Sequence, residues 1–203
     1  MTPKFDLYPF FSSPLVAFDL SSPPLEISNH IDKFDDGRIN YESANINCLD
    51  EYPEDKERLL NKFYEYTTEV LGLEDQKFKI STSWITKTNK NNIPNGFHSH
   101  KNSFYSGVYY FNDGEGFAPL ILDNVQFDRH HFFITKKDPT KGDIVISNLA
   151  HFLPPKKNIL LLFPSYISHA IGQHNSEETR YSMAFNIVPE GTIGLYDSTV
   201  TIN

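Results

Sequence analysis

The chain has 203 residues, 39% of them apolar and 14% aromatic, with 17 Phe and 11 Tyr. That is enough apolar surface to close a sizeable core, and it excludes a disordered chain. Acidic residues outnumber basic ones by 26 to 18, for a net charge of −8, and no Lys/Arg cluster suggests a nucleic-acid groove.

The N-terminal stretch "MTPKFDLYPFFSSPLVAFDL" lacks a basic leader and an unbroken apolar run, so it reads poorly as a signal peptide. Nothing later approaches the roughly 20 apolar residues of a membrane span. Cys48 is the only cysteine, which forbids an internal disulfide and a thiolate metal cluster and suits a reducing compartment. The expectation is a cytoplasmic protein with no membrane contact. Residues 1 to about 48 are punctuated by Pro and Ser and read as extended segments and loops. A helix follows in "DEYPEDKERLLNKFYEYTTEVLGLED", with Pro53 and acidic residues at its start and Gly72 near its end. Leu59, Leu60, Phe63, Tyr66, Val70 and Leu71 recur on one face of it, as in a helix packed on a sheet.

From residue 77 the period changes to two. "FKISTSWITKT", "FYSGVYYFN", "PLILDN", "HHFFIT", "DIVIS", "NILLLFPS" and "TRYSMAFNIV" read as strands, separated by turn signals such as "NKNNIPNG", "NDGEG" and "PTKGD". Such a run of strands without a long helix between them predicts a mainly β fold, an antiparallel sandwich or jelly roll with an N-terminal helical flank. The chain reads as one domain over 1–203. Residues 1–76 hold the extended segments and helix, 77–190 the β core and 191–203 a C-terminal tail.

Among the eight histidines, His98 and His100 stand two apart in "GFHSHKN". Residues i and i+2 of a strand share a face, so both imidazoles can address one ion. His169, beyond the apolar strand that ends at Phe163-Pro164, is the candidate third donor. His-x-His alone is weak, and an incidental pair on a solvated strand is the competing reading. His130 and His131 are adjacent and would face opposite ways. His30, His151 and His174 receive no role.

"TRYSMAFNIV" alternates cleanly. Arg180, Ser182, Ala184 and Asn186 share one face, and Tyr181, Met183, Phe185 and Ile187 the other. The polar set either faces solvent, the commoner arrangement, or lines a cavity with Arg180 at its floor. In the second case the guanidinium fork matches a carboxylate. Periodicity leaves both open.

Taken together, "FHSHKNSFYSGVYYFN" and "LLLFPSYISHAIGQHNSEETRYSMAFNI" resemble the iron(II)- and 2-oxoglutarate-dependent oxygenases over roughly residues 78 to 190. The resemblance is to the compact branch with His-x-His, Ser-Gly-Val-Tyr-Tyr, Phe-Pro-Ser, a distal His and an Arg. It implies a double-stranded β-helix (jelly roll) with iron at one mouth. His98 and His169 would take the places of the two family histidines. Arg180 and Ser182 would hold the distal carboxylate of 2-oxoglutarate. Tyr110 matches a phenol offered to the same group, with an ordinary core aromatic as the alternative. Gly107 and Pro164 read as structural. The implied reaction consumes O2 and 2-oxoglutarate, releases succinate and CO2, and hydroxylates a small molecule or a protein side chain; no catalytic side chain is assigned beyond the metal ligands.

One position departs from the pattern. The family's usual site is two histidines and a carboxylate, and His100 stands where Asp or Glu is expected. Asp113, Glu115 or Asp128 from a loop, and more weakly Asn102, are the alternatives to it. Two other classes stay in view: a cupin-like metal protein that does not use 2-oxoglutarate, and a non-catalytic jelly roll. Against the first, Phe104 and Tyr105 stand where the cupin motif carries Glu.

Overall fold

The computed structural model describes residues 13–35, 41–73, 76–123 and 150–202. The one α-helix among them, α1 (Pro53–Glu69), begins with Pro at a first-turn position. There the missing N–H costs nothing, and Glu54 and Asp55 complement the positive end of the helix dipole. Leu59, Phe63 and Tyr66 are buried on one face, while Val70, expected with them, is 62% exposed because the helix stops at Glu69. Upstream, an extended stretch was expected, but Glu26–Phe34 forms a 3-10 helix. Its first N–H groups, of Glu26 and Ile27, donate to the buried carboxylate of Asp55 at 2.9 and 2.8 Å.

Helix α1 covers the outer face of the larger sheet. That sheet runs β1 (Val16–Asp19), β7 (Ile159–Pro164), β4 (Tyr105–Tyr110), β9 (Arg180–Ile193), β3 (Lys77–Thr88) and β2 (Tyr41–Glu42), with β10 (Val200–Ile202) also on β9. A smaller sheet runs β6 (Ala150–Leu153), β5 (Leu120–Asp123) and β8 (His169–Ile171). Every pairing among these strands is antiparallel.

Alternation sorts the side chains into two cores. Tyr105 and Tyr109 of β4, Leu160 and Leu162 of β7, and Met183, Phe185 and Ile187 of β9 pack toward the helix with Phe63 and Phe78. Truncating a buried aromatic such as Phe63 would cost about 3–5 kcal/mol. The intervening residues Val108, Tyr110, Leu161 and Phe163 pack against Leu120 and Leu122 of the smaller sheet. Two antiparallel sheets therefore face one another around an interior, the jelly roll that the strand pattern predicts. Gly107 is structural, as expected: a Cβ there would lie 2.2 Å from Cζ of Phe185, its cross-strand neighbour.

Strand β3 changes phase on its way. Its register against β9 shifts between Ile80 and Thr82, so Phe78, Ile80, Ser83 and Ile85 all face the helix side. Thr82, Trp84 and Thr88 then face the interior, where each meets a side chain of the site. The expected strands "HHFFIT" and "DIVIS" lie outside the described residues, as do His130, His131 and Asp128. Among the described residues, no helix is long and apolar enough to cross a membrane.

Candidate metal centre

Three histidines meet at one end of the smaller sheet. His98 forms a two-way backbone bridge to His169, N–H to carbonyl at 3.0 and 2.8 Å. His169 in turn pairs with Leu122, an interior residue of β5. Residues directly opposite in a ladder project to the same side, so both imidazoles point inward. The His100 backbone N–H donates to Ser165 at 3.0 Å, which turns the chain back and brings its ring to the same place. One ligand atom from each ring lies within 4.8 Å of the other two, and the ring centroids are 4.5 to 5.4 Å apart. Among the described residues this is the only group of three or more potential ligands so gathered.

Each ring has its Nδ1 against an oxygen: Gly96 carbonyl for His98 at 3.0 Å, Ile167 carbonyl for His169 at 2.9 Å, and Asn186 Oδ1 for His100 at 2.6 Å. A carbonyl only accepts, so Nδ1 of His98 and His169 carries the proton and Nε2 keeps its lone pair for a metal. Burial pushes the His169 pKa down to about 4, with the neighbouring His98 and His100 acting in the same direction. His169 is therefore a neutral donor near pH 7.

Farther along β9, Arg180 is fully buried on the interior face. Its Nη1 donates to Thr88 Oγ1 at 3.3 Å, while Nε and Nη2 have no partner among the described residues. The hydroxyl of Tyr110, also buried, has none either, and the Arg180 guanidinium carbon lies 5.3 Å from the Tyr110 ring centre. Burial lowers the Arg180 pKa and raises that of Tyr110, and each group opposes the other's shift. An arginine remains a cation even so. Three orphaned buried donors around one positive charge fit an anionic oxygen group such as a carboxylate. Ser182, buried and paired in register with both Tyr110 and Thr86, sits beside them. Next to this end of the ladder is a cavity of about 270 Å³ whose lining includes Thr86, Thr88, Asn92, Ile93 and Ile171. The loop "NKNNIPNG" thus forms part of a pocket rim.

The six residues expected at the site all lie among the described ones. His98, His100 and His169 come together; Arg180, Ser182 and Tyr110 share the interior. Of the alternative third ligands, Asp113 and Glu115 stay out of the cluster, and Asp113 accepts the backbone N–H of Lys157. Asn102 is an exposed turn residue at φ 65°. Sequence reasoning gave no role to Trp84, whose ring centre lies 5.7 Å from that of His100, to Thr88, or to Asn186. His174 proves structural: Nδ1 accepts from Ala118 N–H at 3.2 Å, and Nε2 donates to the Glu178 carbonyl at 2.8 Å.

A family model described as "Putative 2OG-Fe(II) oxygenase" matches residues 82–186. No curated protein matches the sequence. Among solved structures, HygX from Streptomyces hygroscopicus with iron bound is similar at TM-score 0.56 and 10% identity, over 88% of this chain and 83% of that one. The viral collagen prolyl hydroxylase vCPH from Paramecium Bursaria Chlorella virus-1, in complex with 2-oxoglutarate, gives TM-score 0.54 and 13% identity, over 85% and 94%. A 2OG-Fe(II) oxygenase family oxidoreductase from Burkholderia pseudomallei is matched at TM-score 0.44 and 11% identity, over 66% of this chain and 57% of that chain's length. The family match runs from mid-β3, four residues before Thr86, through β9 to Asn186, and so spans all three histidines, Tyr110, Arg180 and Ser182: the chain belongs to the 2OG-Fe(II) oxygenase family.

Proposed function

We propose that His98, His100 and His169 hold Fe(II) through Nε2, and that Arg180, Tyr110 and Ser182 hold the distal carboxylate of 2-oxoglutarate. Fe(II) and 2-oxoglutarate held there would supply oxidative chemistry in which O2 gives one oxygen atom to succinate, formed with CO2 from 2-oxoglutarate, and the other to a substrate C–H bond. The chain's own residues supply geometry. Main-chain carbonyls fix two rings, the Arg180 cation neutralises the distal carboxylate, and the apolar walls Val108, Leu161 and Phe163 keep water from the interior. The observation that carries this reading is the pair of unpartnered guanidinium nitrogens inside a barrel with three convergent imidazoles at its mouth. The substrate is a small molecule or a protein side chain that reaches the rim at Asn92 and Ile93. A cytoplasmic site of action fits the lone, buried Cys48.

The test is calorimetric titration of 2-oxoglutarate into Mn(II)-loaded protein, which binds without turnover. Arg180→Ala should keep the metal and lose the cosubstrate; His169→Ala should lose both. Unchanged 2-oxoglutarate affinity in the Arg180 variant would defeat the assignment.

A further inference from the structure

A carboxylate ligand is ready for a metal whenever it is ionised. An imidazole is not: with hydrogen on Nε2 instead of Nδ1, the nitrogen facing the metal has no lone pair to give. His98 and His169 solve this locally, each through the carbonyl two residues upstream. His100 uses a different device, a side chain 86 positions away in the sequence.

We propose that Asn186 is the positioning residue that makes His100 a metal ligand: its amide oxygen holds hydrogen on Nδ1 and so presents the Nε2 lone pair. The proposal rests on reading His100 as the third ligand. Asn186 is itself oriented. Its Nδ2 donates to Thr82 Oγ1 at 3.0 Å, which turns Oδ1 toward the imidazole 2.6 Å away. Ser106 Oγ lies 3.1 Å from the same oxygen and 2.8 Å from Ser165 Oγ, and Ser165 donates to Ser103 Oγ at 2.9 Å. The Ser165 backbone carbonyl accepts the His100 backbone N–H, so the same residues fix the ring and the main chain of His100 together. Ser106 and Ser165 are buried, so water competes poorly for these bonds. Strand β9 thereby serves both ends of the site from one face, with Arg180 toward the cosubstrate and Asn186, three interior positions on, toward the metal.

Long-range proton–nitrogen correlation spectra of the metal-free protein, at mildly alkaline pH, report which ring nitrogen carries hydrogen. The expected spectrum has Nδ1–H on all three histidines, and Asn186→Leu should move the hydrogen of His100 alone. The unchanged rings of His98 and His169 then report that the variant is folded. Chelator competition with Ni(II) should show affinity falling roughly 10–100-fold in Asn186→Leu, as for other losses of outer hydrogen bonds to ligands. Asn186→Asp retains an acceptor oxygen and should retain the affinity. Hydrogen on Nε2 of His100 in the unsubstituted protein would overturn the proposal without need of any variant. So would an Asn186→Leu protein with the His100 tautomer and the affinity both unchanged. A tautomer that moves while Ni(II) affinity holds would overturn it through the ligand set, because His100 would then not be a ligand.

Discussion

Thr88 and Arg180 face each other across the β3–β9 ladder, and the Thr88 hydroxyl, 3.3 Å from Nη1, is the only hydrogen-bond partner of the guanidinium among the described residues. A buried cation with two idle nitrogens is costly to the folded state. An anionic ligand bound against those nitrogens, as proposed for 2-oxoglutarate, would offset that cost.

That cost is measurable. Arg180→Met keeps an unbranched apolar stem and removes the charged guanidinium, so the ligand-free protein should become more stable by about 1–3 kcal/mol, the usual cost of unpaired buried polar groups. In the unsubstituted, metal-loaded protein, 2-oxoglutarate at a hundredfold excess over Kd should add about 2.7 kcal/mol; in the Met variant it should add nothing. Thermal unfolding with and without the cosubstrate checks both halves. A Met variant less stable than its parent would mean that Nε and Nη2 are already partnered.

Tyr110→Phe isolates the neutral donor. The hydroxyl is buried and unpartnered, so its removal should leave the apo protein as stable or slightly more so. Its bond to a carboxylate would contribute about 1.5–3 kcal/mol, so 2-oxoglutarate affinity should fall roughly tenfold or more. Metal affinity should not change. Calorimetry on the Mn(II)-loaded variant separates this outcome from that of a core aromatic, whose loss would leave 2-oxoglutarate affinity intact.

Much of this was legible in the sequence because strands alternate. The list of interior residues on β9 could be written down from "TRYSMAFNIV", but not which list faces inward, since that depends on the helix covering the other side. Strand β3 defeats simple alternation. The register shift after Ile80 sends Ile85 to the helix side and Trp84 to the metal centre, and nothing in "KISTSWIT" signals a bulge. Strand β8 has three residues, too few for a period, although it carries His169. The nearness of His100 to His98 was visible as a spacing; the Asn186 amide that meets it was not, because only the folded ladder brings the two together.

The close packing at Gly107 gives a test of the fold itself. A methyl group there would collide with the Phe185 ring, which is fully buried and cannot swing into solvent. Gly107→Ala should cost about 1–3 kcal/mol, as other overpacked cores do. Pairing it with Phe185→Leu should recover part of that loss, because the smaller side chain vacates the contact. Denaturant unfolding of both single variants and the double variant measures the coupling, and strict additivity would mean that the two residues do not touch.

His100→Asp restores the ligand set usual in the family, and the comparison with His100→Ala shows what the third imidazole does. Three neutral imidazoles suit Ni(II) and Zn(II); exchanging one for a carboxylate lowers the charge of the site by one and favours harder ions such as Mn(II). The ratio of Mn(II) to Ni(II) affinity should therefore rise in His100→Asp, whereas His100→Ala should weaken both ions by loss of a donor. The Asp side chain is shorter and cannot donate to Asn186 Oδ1, so the double variant His100→Asp/Asn186→Leu should lose little beyond the single one. In the parent background, Asn186→Leu should lose much more. Competition titrations with the two metals across the parent and these four variants give the answer. An unaltered Mn(II) to Ni(II) ratio in His100→Asp would remove His100 from the coordination sphere.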